Sequence, residues 1–596
     1  MSSVYGIFNS ALSALYTYTS AIDVISTNIG NVETPGYSRQ QAVIQATAPI
    51  NTINGVIGTG VEVANVQRIY NAFLVTQMRM ANQDMGKWSA QQDSLNSIEQ
   101  VFSNSSDSGL SSTMAAFWNS WQNLVNNPSG STERFLLTNS ADNLAKSLNN
   151  MSSQLDSIQK GIDKSVGENV AAVNSLIQRI ADVNLDIKMT ATAGQNTNSS
   201  KDELDLQVAK LAELININAY TNSNGQISIQ MSNGKPLVEG TSTWFLSTQT
   251  NVTTGLKDIT WPDGSTALVV NDDITGGKLG GYLAVRDTMI TEYQDQLDTL
   301  AQTIIDKVNW LHTGGYDIEG KPGKLFFTFE PTPTVLPTPS ISPTVNLNSG
   351  AATGDTFPAT VNTYDVGGNA TPLKITFTKD APANQWSWVA AIPLARGTIT
   401  TGASGTLNFG TDGNLVLPLP TADPTISLDL TGVGPTQDVI WDLYDALGTS
   451  NLTQNAAPSG ISNKATAANI AVNAAILADP GKVAAAPSAA VAPGNGSNAS
   501  AIAELQNNLF MDSGTTTFSS YYSALVSKVG ATVQSTDAGY SYQSNAMQAW
   551  KNQRDSYSGV SMDEEQTKLI LYQNAYTASA KLISILDEMM KTLINL

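Results

Sequence analysis

The chain has 596 residues, with 30 lysines and arginines against 50 aspartates and glutamates, one histidine and no cysteine. A net charge of −20 argues against nucleic acid and anionic membrane as partners. Without cysteine there are no disulfides, thiolate metal sites or cysteine nucleophiles, and one histidine cannot build a triad with other histidines or a multi-histidine metal site in one subunit, so no cofactor is implied. The length allows three or four domains, each with its own core. Only 13% of residues are charged, and Ser, Thr, Asn, Gln, Ala and Gly fill the surface instead, as is common in secreted bacterial surface proteins.

The first element is a heptad stripe: Val4, Phe8, Ala11, Leu15, Tyr18, Ile22, Ile25, Ile29 and Val32 keep a 4-3 alternation over about four heptads. No basic n-region precedes Asp23, and polar Asn9, Ser10, Ser13, Thr17 and Ser20 interrupt any membrane span, so neither a signal peptide nor a transmembrane helix is expected. Residues 1–40 therefore read as a coiled-coil helix closed by a turn. In Asn31-Val-Glu-Thr-Pro-Gly-Tyr37, Pro35 forbids helix at Thr34 and Gly36 permits the turn. Asn28, Asn31, Thr34, Pro35, Gly36 and Tyr37 read equally as a simple helix stop or as the turn that sets the angle at which the coil meets the next domain.

Residues 41–330 read as a helical bundle domain. Alternation with Gly55, Gly58 and Gly60 over 42–66 predicts an extended segment or hairpin, and helical periodicity follows over about 72–102, 111–126, 131–190 and 200–215, broken at Asn127-Pro128. Asn224-Gly225 and Asn233-Gly234 mark hairpins of a small β subdomain over about 216–275, before a long helix from Leu279 to His312. Pro331, Pro333, Pro337, Pro339 and Pro343 predict a stiff linker into an antiparallel outer β domain, 331–450, in which Leu407-Asn-Phe409 pairs with Leu415-Val-Leu417 across Asp412-Gly413. Residues 451–555 are expected to return and complete the bundle, with an alanine-rich helical signal from about 464 to Val529.

A second stripe occupies the end, 556–596: Leu569, Tyr572, Tyr576, Ser579, Ile583, Leu586, Met590 and Leu593. Each terminal helix alone buries too little to offset the entropy of ordering it, so the two are expected to pair with each other or with other copies, and to be disordered in the free monomer. The fold class is thus mainly α with β insertions: paired terminal coiled-coil helices, a discontinuous helical bundle domain and an antiparallel β outer domain.

Specific residues carry a resemblance. Asn28-Ile-Gly-Asn-Val-Glu-Thr-Pro-Gly-Tyr37 resembles the N-x-x-N-x-x-T-P-G-Y signature of the axial proteins of bacterial flagella, and Ser558-Gly-Val-Ser-Met-Asp-Glu-Glu565 with Tyr572-Gln-Asn-Ala-Tyr576 resembles their carboxyl-terminal one. Asn126-Asn-Pro-Ser129 with Arg134, Gly276 to Tyr282 with Arg286-Asp287, Asn309 to Asp317 with Gly320 and Phe326-Phe327, and Val472-Asn473 with Asp479-Pro480 and Gly494 to Ala499 resemble the hook-associated proteins of the hook-filament junction. Asp365 to Asn369, Leu373 to Phe377, Trp386 and Leu407 to Gly413 are similar to a β domain of hook protein. One departure is Asp202-Glu-Leu-Asp205, which lacks the family's usual arginine, so a local salt bridge is expected to be missing.

The resemblance implies a structural subunit, secreted by the flagellar type III apparatus, assembling as a homo-oligomer in the extracellular axial structure. Hook protein and the second hook-associated protein are the implied neighbours, and an export chaperone is implied on the carboxyl-terminal helix. The assembly interface is then Val4, Phe8, Leu15, Ile22, Ile25 and Ile29 with Leu569, Tyr572, Tyr576, Ile583, Leu586, Met590 and Leu593. Other readings are hook protein itself, or a secreted adhesin acting through its β domain. No motif selects an enzyme: His312 reads as a structural hydrogen-bonding group, and Asp563, Glu564 and Glu565 as helix-capping carboxylates. Asp272-Asp273 and Asp412-Gly413 read as turns without a calcium ligand series. Trp118-Trp121, at helical spacing, and Trp386-Trp388, at strand spacing, read as core.

Overall fold

The computed structural model describes residues 2–52, 55–102, 109–222, 224–252, 254–264, 266–328, 338, 340–365, 370–418, 423–430, 436–444, 450–455, 460–461 and 466–594. The helices are α1 (Ser2–Gly30), α2 (Ala72–Phe102), α3 (Leu110–Asn126), α4 (Ser131–Thr192), α5 (Asn198–Leu214), α6 (Gly277–Leu283), α7 (Ile290–Thr313), α8 (Ala474–Ala478), α9 (Ser497–Glu504), α10 (Phe518–Ser558) and α11 (Met562–Ile594). The chain divides into two compact units, one of residues 1–96, 159–289 and 532–596, the other of 97–158 and 290–531.

In the first unit α1 ends at Gly30 and the chain turns into β1 (Gln40–Ala46), β2 (Ile50–Thr52), β3 (Gly55–Ile57) and β4 (Val61–Arg68). β1 pairs antiparallel with β4 from Gln40 opposite Arg68 to Ala46 opposite Val61, and β2 with β3 forms the tip. Four strands between Ile217 and Thr243 form an antiparallel meander, and three between Ser247 and Val269 a second sheet. These sheets share a core with α4 and α5, built on Val173, Ile177, Ile180, Val208, Leu211, Ile229 and Ile259.

The glycines of Gly276 to Tyr282 have a packing reason. Gly277 holds φ +67°, which side-chain-bearing residues rarely adopt, and a methyl group on it would lie 2.3 Å from the Ile215 amide nitrogen. A methyl group on Gly281 would lie 2.4 Å from the Lys87 carbonyl oxygen of α2. Just beyond, residues Ala284–Met289 form a π-helical turn between α6 and α7. In it Arg286, 1% exposed, bridges Asp163 at 2.8 Å and Asp287 at 2.6 Å. The anticipated long helix from Leu279 is therefore interrupted by this turn.

In the second unit α3, α7, α9 and the first part of α10 pack around Phe117, Trp121, Phe326 and Phe327, all fully buried, with Trp118 stacked on Phe518. The β domain follows. One five-stranded sheet has the spatial order Thr356–Tyr364, Ala370–Lys379, Gln385–Ala391, Ser404–Phe409, Leu415–Leu417. A four-stranded sheet of Ser340–Ile341, Gln437–Trp441, Thr425–Leu430 and Gly397–Thr401 contributes to the same core. Trp386 and Trp388 point into it, with Trp388 edge-on to Trp441 at 4.9 Å between centroids.

Two expectations need correction. Strands continue past residue 450, since Leu452–Asn455 and Gly460–Ile461 both pair with Val345–Asn348. The alanine-rich stretch from about 464 is mostly not helix: among its described residues before α9 lie the short strand Ala471–Val472, α8 and two 3₁₀ turns. Asn473, Asp479-Pro480-Gly481, Pro487, Pro493 and Gly494 stop helix propagation, and alanine has no bulk to drive packing against them. Pro331, Pro333, Pro337 and Pro339 lie outside the described residues.

Candidate functional site: the terminal helix pair and its turn

α1 and α11 run antiparallel, since Asn28 meets Glu565 while Tyr18 stacks on Tyr572 at 6.0 Å. On α1, Ala11, Thr17, Ala21, Ile25 and Asn28 are buried, Leu15, Ile22 and Ile29 half-buried, and Phe8 38% exposed. Ala11 and Ile25 belong to the counted stripe, whereas Thr17, Ala21 and Asn28 lie one position before it, because α1 also packs on the β1–β4 hairpin. There the Thr17 hydroxyl donates to the Val61 carbonyl at 2.9 Å and the Ser13 hydroxyl accepts from the Val61 amide at 3.3 Å. On α11, Leu569, Tyr572, Ile583 and Met590 are half-buried and Leu586 buried, whereas Tyr576 is 41% exposed and Ala575 takes its inward place. The side chains of Val4 and Leu593 lie outside the described residues.

Asn28 is the hub of the site. Fully buried, its amide donates to the Gln40 carbonyl at 2.8 Å and to Glu565 Oε2 at 2.8 Å, and accepts from the Gln40 amide at 2.9 Å and the Tyr37 hydroxyl at 2.8 Å. All four capacities of the side chain are used. Its amide pairs with the Gln40 backbone as a neighbouring strand residue would, fixing where the chain leaves α1 and enters β1. Its bond to Glu565 fixes the axial alignment of α11, the role a lone buried asparagine plays in a coiled-coil seam.

The turn supplies the rest. Asn31 donates to Thr27 O and accepts from the Thr34 hydroxyl, and Gly36 holds φ +84° against Leu206, where the chain reverses. Burial, with the charges of Asp202 and Glu565, pushes the Tyr37 phenol up to about 12, so it stays a donor. Glu564 pairs with Arg39 at 2.6 Å and with Lys568 at 2.8 Å, and these contacts hold its carboxyl below its ordinary range. The acidic cluster does occupy the first turn of α11, but Glu565 is spent on Asn28.

In Asp202-Glu-Leu-Asp205, Leu204 stands where the family's pattern has arginine and is buried in the core, and Asp202 and Asp205 are paired from another element. Arg68, on β4, reaches Asp202 at 2.8 Å and Asp205 at 2.8 Å, and Asp202 also accepts from the Ser38 amide at 3.1 Å. The expected loss of a salt bridge is overturned, and α5 is tied to both the hairpin and the turn. Burial is the largest influence on Asp205 and leaves its carboxyl raised in spite of Arg68.

The internal motifs also resolve into buried polar hubs. In the second unit Arg134, 1% exposed, donates to the carbonyls of Pro128, Gly481 and Val483. Asn309 accepts from the Phe326 and Phe327 amides and donates to Phe327 O. His312 contacts the Lys324 carbonyl at 2.6 Å and accepts from the Ala484 amide at 2.8 Å, a structural role, and burial holds its imidazole down to about 4. Among the described residues no group of three metal-ligating side chains is gathered, and no helix is long and apolar enough to cross a membrane.

Three family models match the chain: the flagellar hook-associated protein FlgK helical domain over residues 95–327, the flagellar basal body protein FlaE D2 domain over 335–522, and the flagellar basal body rod FlgEFG protein C-terminal over 551–596. Flagellar hook-associated protein 1 of Escherichia coli is 25% identical over 597 aligned residues, 99% of both chains, and that of Salmonella typhimurium is 27% identical over 595, again 99% of both. Over nearly its whole length the chain is similar to flagellar hook-associated protein 1. The Bacillus subtilis member is 26% identical over 361 residues, 55% of this chain and 71% of that one. The solved flagellar hook junction protein FlgK of Burkholderia pseudomallei shares the fold, with TM-score 0.52 and 17% identity over 81% of this chain and all of that one. The sequence motifs did not reveal Gln40, Arg68 and Glu565 as parts of the turn. One signal was present: Asn28 stands three residues after Ile25, a polar group at an inward position, and such a group needs a partner.

Proposed function

We infer that the protein is a structural subunit of the flagellum, assembling into the junction between hook and filament, with the terminal helix pair as its assembly element. The role is mechanical rather than catalytic, and the subunit works outside the cell after export. One observation carries this reading: the α1–α11 pair satisfies its polar hub within one chain yet leaves a second apolar line in water. Leu571, Leu582, Ile585 and Met589 of α11 are 61%, 45%, 49% and 54% exposed, and Tyr5, Ile7 and Tyr16 of α1 are 57%, 48% and 68% exposed. Among them Leu582, Ile585 and Met589, three and four residues apart, form one apolar line on α11, and an exposed stripe of this kind marks a face that another helix covers.

Other copies of the chain cover that line in the axial structure, with hook protein and the second hook-associated protein at its two ends. Before assembly an export chaperone covers the α11 face, a helix-in-groove interaction. Deleting residues 572–596 tests the reading: the truncated chain is expected to fold and remain soluble while cells carrying it fail to attach filaments to hooks. Normal motility with that deletion would overturn the proposal.

A further inference from the structure

Within the second unit α7, the strands Thr356–Tyr364 and Ala370–Lys379, and the segment after α9 enclose an open cavity of 730 Å³. Trp310, Phe357 and Phe510 form its apolar walls, and Lys307 and Lys374 line the same space. Both ammonium groups lie over aromatic rings, Lys307 Nζ 4.4 Å from the Phe510 centroid and Lys374 Nζ 6.0 Å from that of Trp310. Neither forms a salt bridge with any carboxylate among the described residues, in a chain whose acidic residues outnumber its basic ones by 50 to 30. Gln302 donates from Nε2 to Asp306 at 2.8 Å, while its Oε1, buried, has no donor.

We propose that this cavity binds a small anionic amphiphile, an aromatic or long-chain carboxylate or sulfonate whose head is held by Lys307 and Lys374 and whose apolar body lies against Trp310, Phe357 and Phe510. The volume falls in the range of small-molecule sites, and the lining has their character: apolar walls with a few convergent polar groups. Two like charges facing one cavity repel, and burial together with Lys374 lowers the Lys307 ammonium below its ordinary value. An anion between them relieves that repulsion. A ligand N–H or O–H facing Gln302 Oε1 satisfies the buried acceptor, which otherwise carries an uncompensated desolvation cost. Burial raises Asp306 to about 7, so at and below neutral pH its repulsion of the anion is reduced.

Anilinonaphthalene sulfonate, which combines a sulfonate, an N–H and two aromatic rings, is the probe. Titration of the full chain by fluorescence and calorimetry is expected to reveal one saturable site, displaced by dodecanoate. The Lys307→Gln/Lys374→Gln variant should weaken it by about tenfold or more, as expected for loss of charge-assisted contacts. Thr303→Trp, which places bulk in the cavity without changing charge, should abolish it, with an unchanged circular dichroism spectrum in both variants. Absence of a saturable site in the wild-type chain, or a site whose affinity both variants leave within about twofold, would overturn the proposal.

Discussion

Replacing Asn28 with alanine removes, at one point, two bonds to the Gln40 backbone, one from Tyr37 and one to Glu565. A bond between neutral groups contributes about 1 kcal/mol net and one to a charged group about 1.5–3 kcal/mol. Because the four bonds share one side chain their losses overlap, and we expect a cost of about 3–5 kcal/mol, in the range for breaking a buried charged contact. The larger share comes from Glu565, 1% exposed, which among the described residues keeps the Lys568 ammonium at 3.5 Å. Hydrogen exchange on the full-length monomer reads this locally, and a loss of about 3 kcal/mol speeds exchange roughly 100-fold in α1 and the first turns of α11. Glu565→Gln retains shape and an acceptor and should cost less. The double variant should cost less than the sum of the singles, since each removes the same bond. Exchange in Asn28→Ala within about threefold of wild type would refute the argument that this side chain fixes the helix pair.

The same experiment on the wild-type chain bears on assembly. Rapid exchange over residues 1–40 and 560–596 beside a protected bundle would mean that the termini fold only on assembly, whereas protection at low concentration would mean they pair within one chain. Arg68→Gln leaves Asp202 and Asp205 facing each other with 8% and 17% side-chain exposure, and should lower stability by about 3–5 kcal/mol, read as a lower midpoint in thermal unfolding; an unchanged midpoint would refute it. Gly281→Ala forces apart α2 and α6 and should cost about 1–3 kcal/mol, the range for overpacking, read by urea denaturation. Two groups in the second unit give opposite pH slopes. His312 binds its proton less tightly folded, at about 4 against an ordinary 6.5, so it makes stability rise with pH between those values. Asp306, faced by Lys307 on its own helix, Lys374 on the neighbouring strand and Glu504 on α9, is raised to about 7, so it makes stability fall as pH rises from about 4 to about 7. The two nearly cancel in the wild type. Asp306→Asn should unmask a rise of up to about 1.4 kcal/mol per pH unit between pH 4 and 6.5, and a flat profile in that variant would refute the assignment.

Much of the α architecture follows from local rules that need no partner. The bounds of α2, the break at Asn127-Pro128, the turn at Pro35-Gly36 and the hairpin at Asp412-Gly413 are set by backbone dihedral preferences and by side chains three or four residues apart. The terminal stripes were legible for the same reason. Where local preference and tertiary packing conflict, local reading fails: alanine carries strong helix propensity, yet at Val483 and Ala484 the chain is held non-helical through carbonyls and an amide taken by Arg134 of α4, His312 of α7 and Asn498 of α9. Composition and periodicity by themselves determined the helical seams, the β insertions and the absence of thiol chemistry. Only the tertiary structure decided that Asn28 meets Glu565, that Arg68 pairs with Asp202, and that two lysines share one cavity. Those pairs lie tens to hundreds of residues apart, and a hydrogen bond or ion pair is fixed by position in space, which no spacing along the chain records.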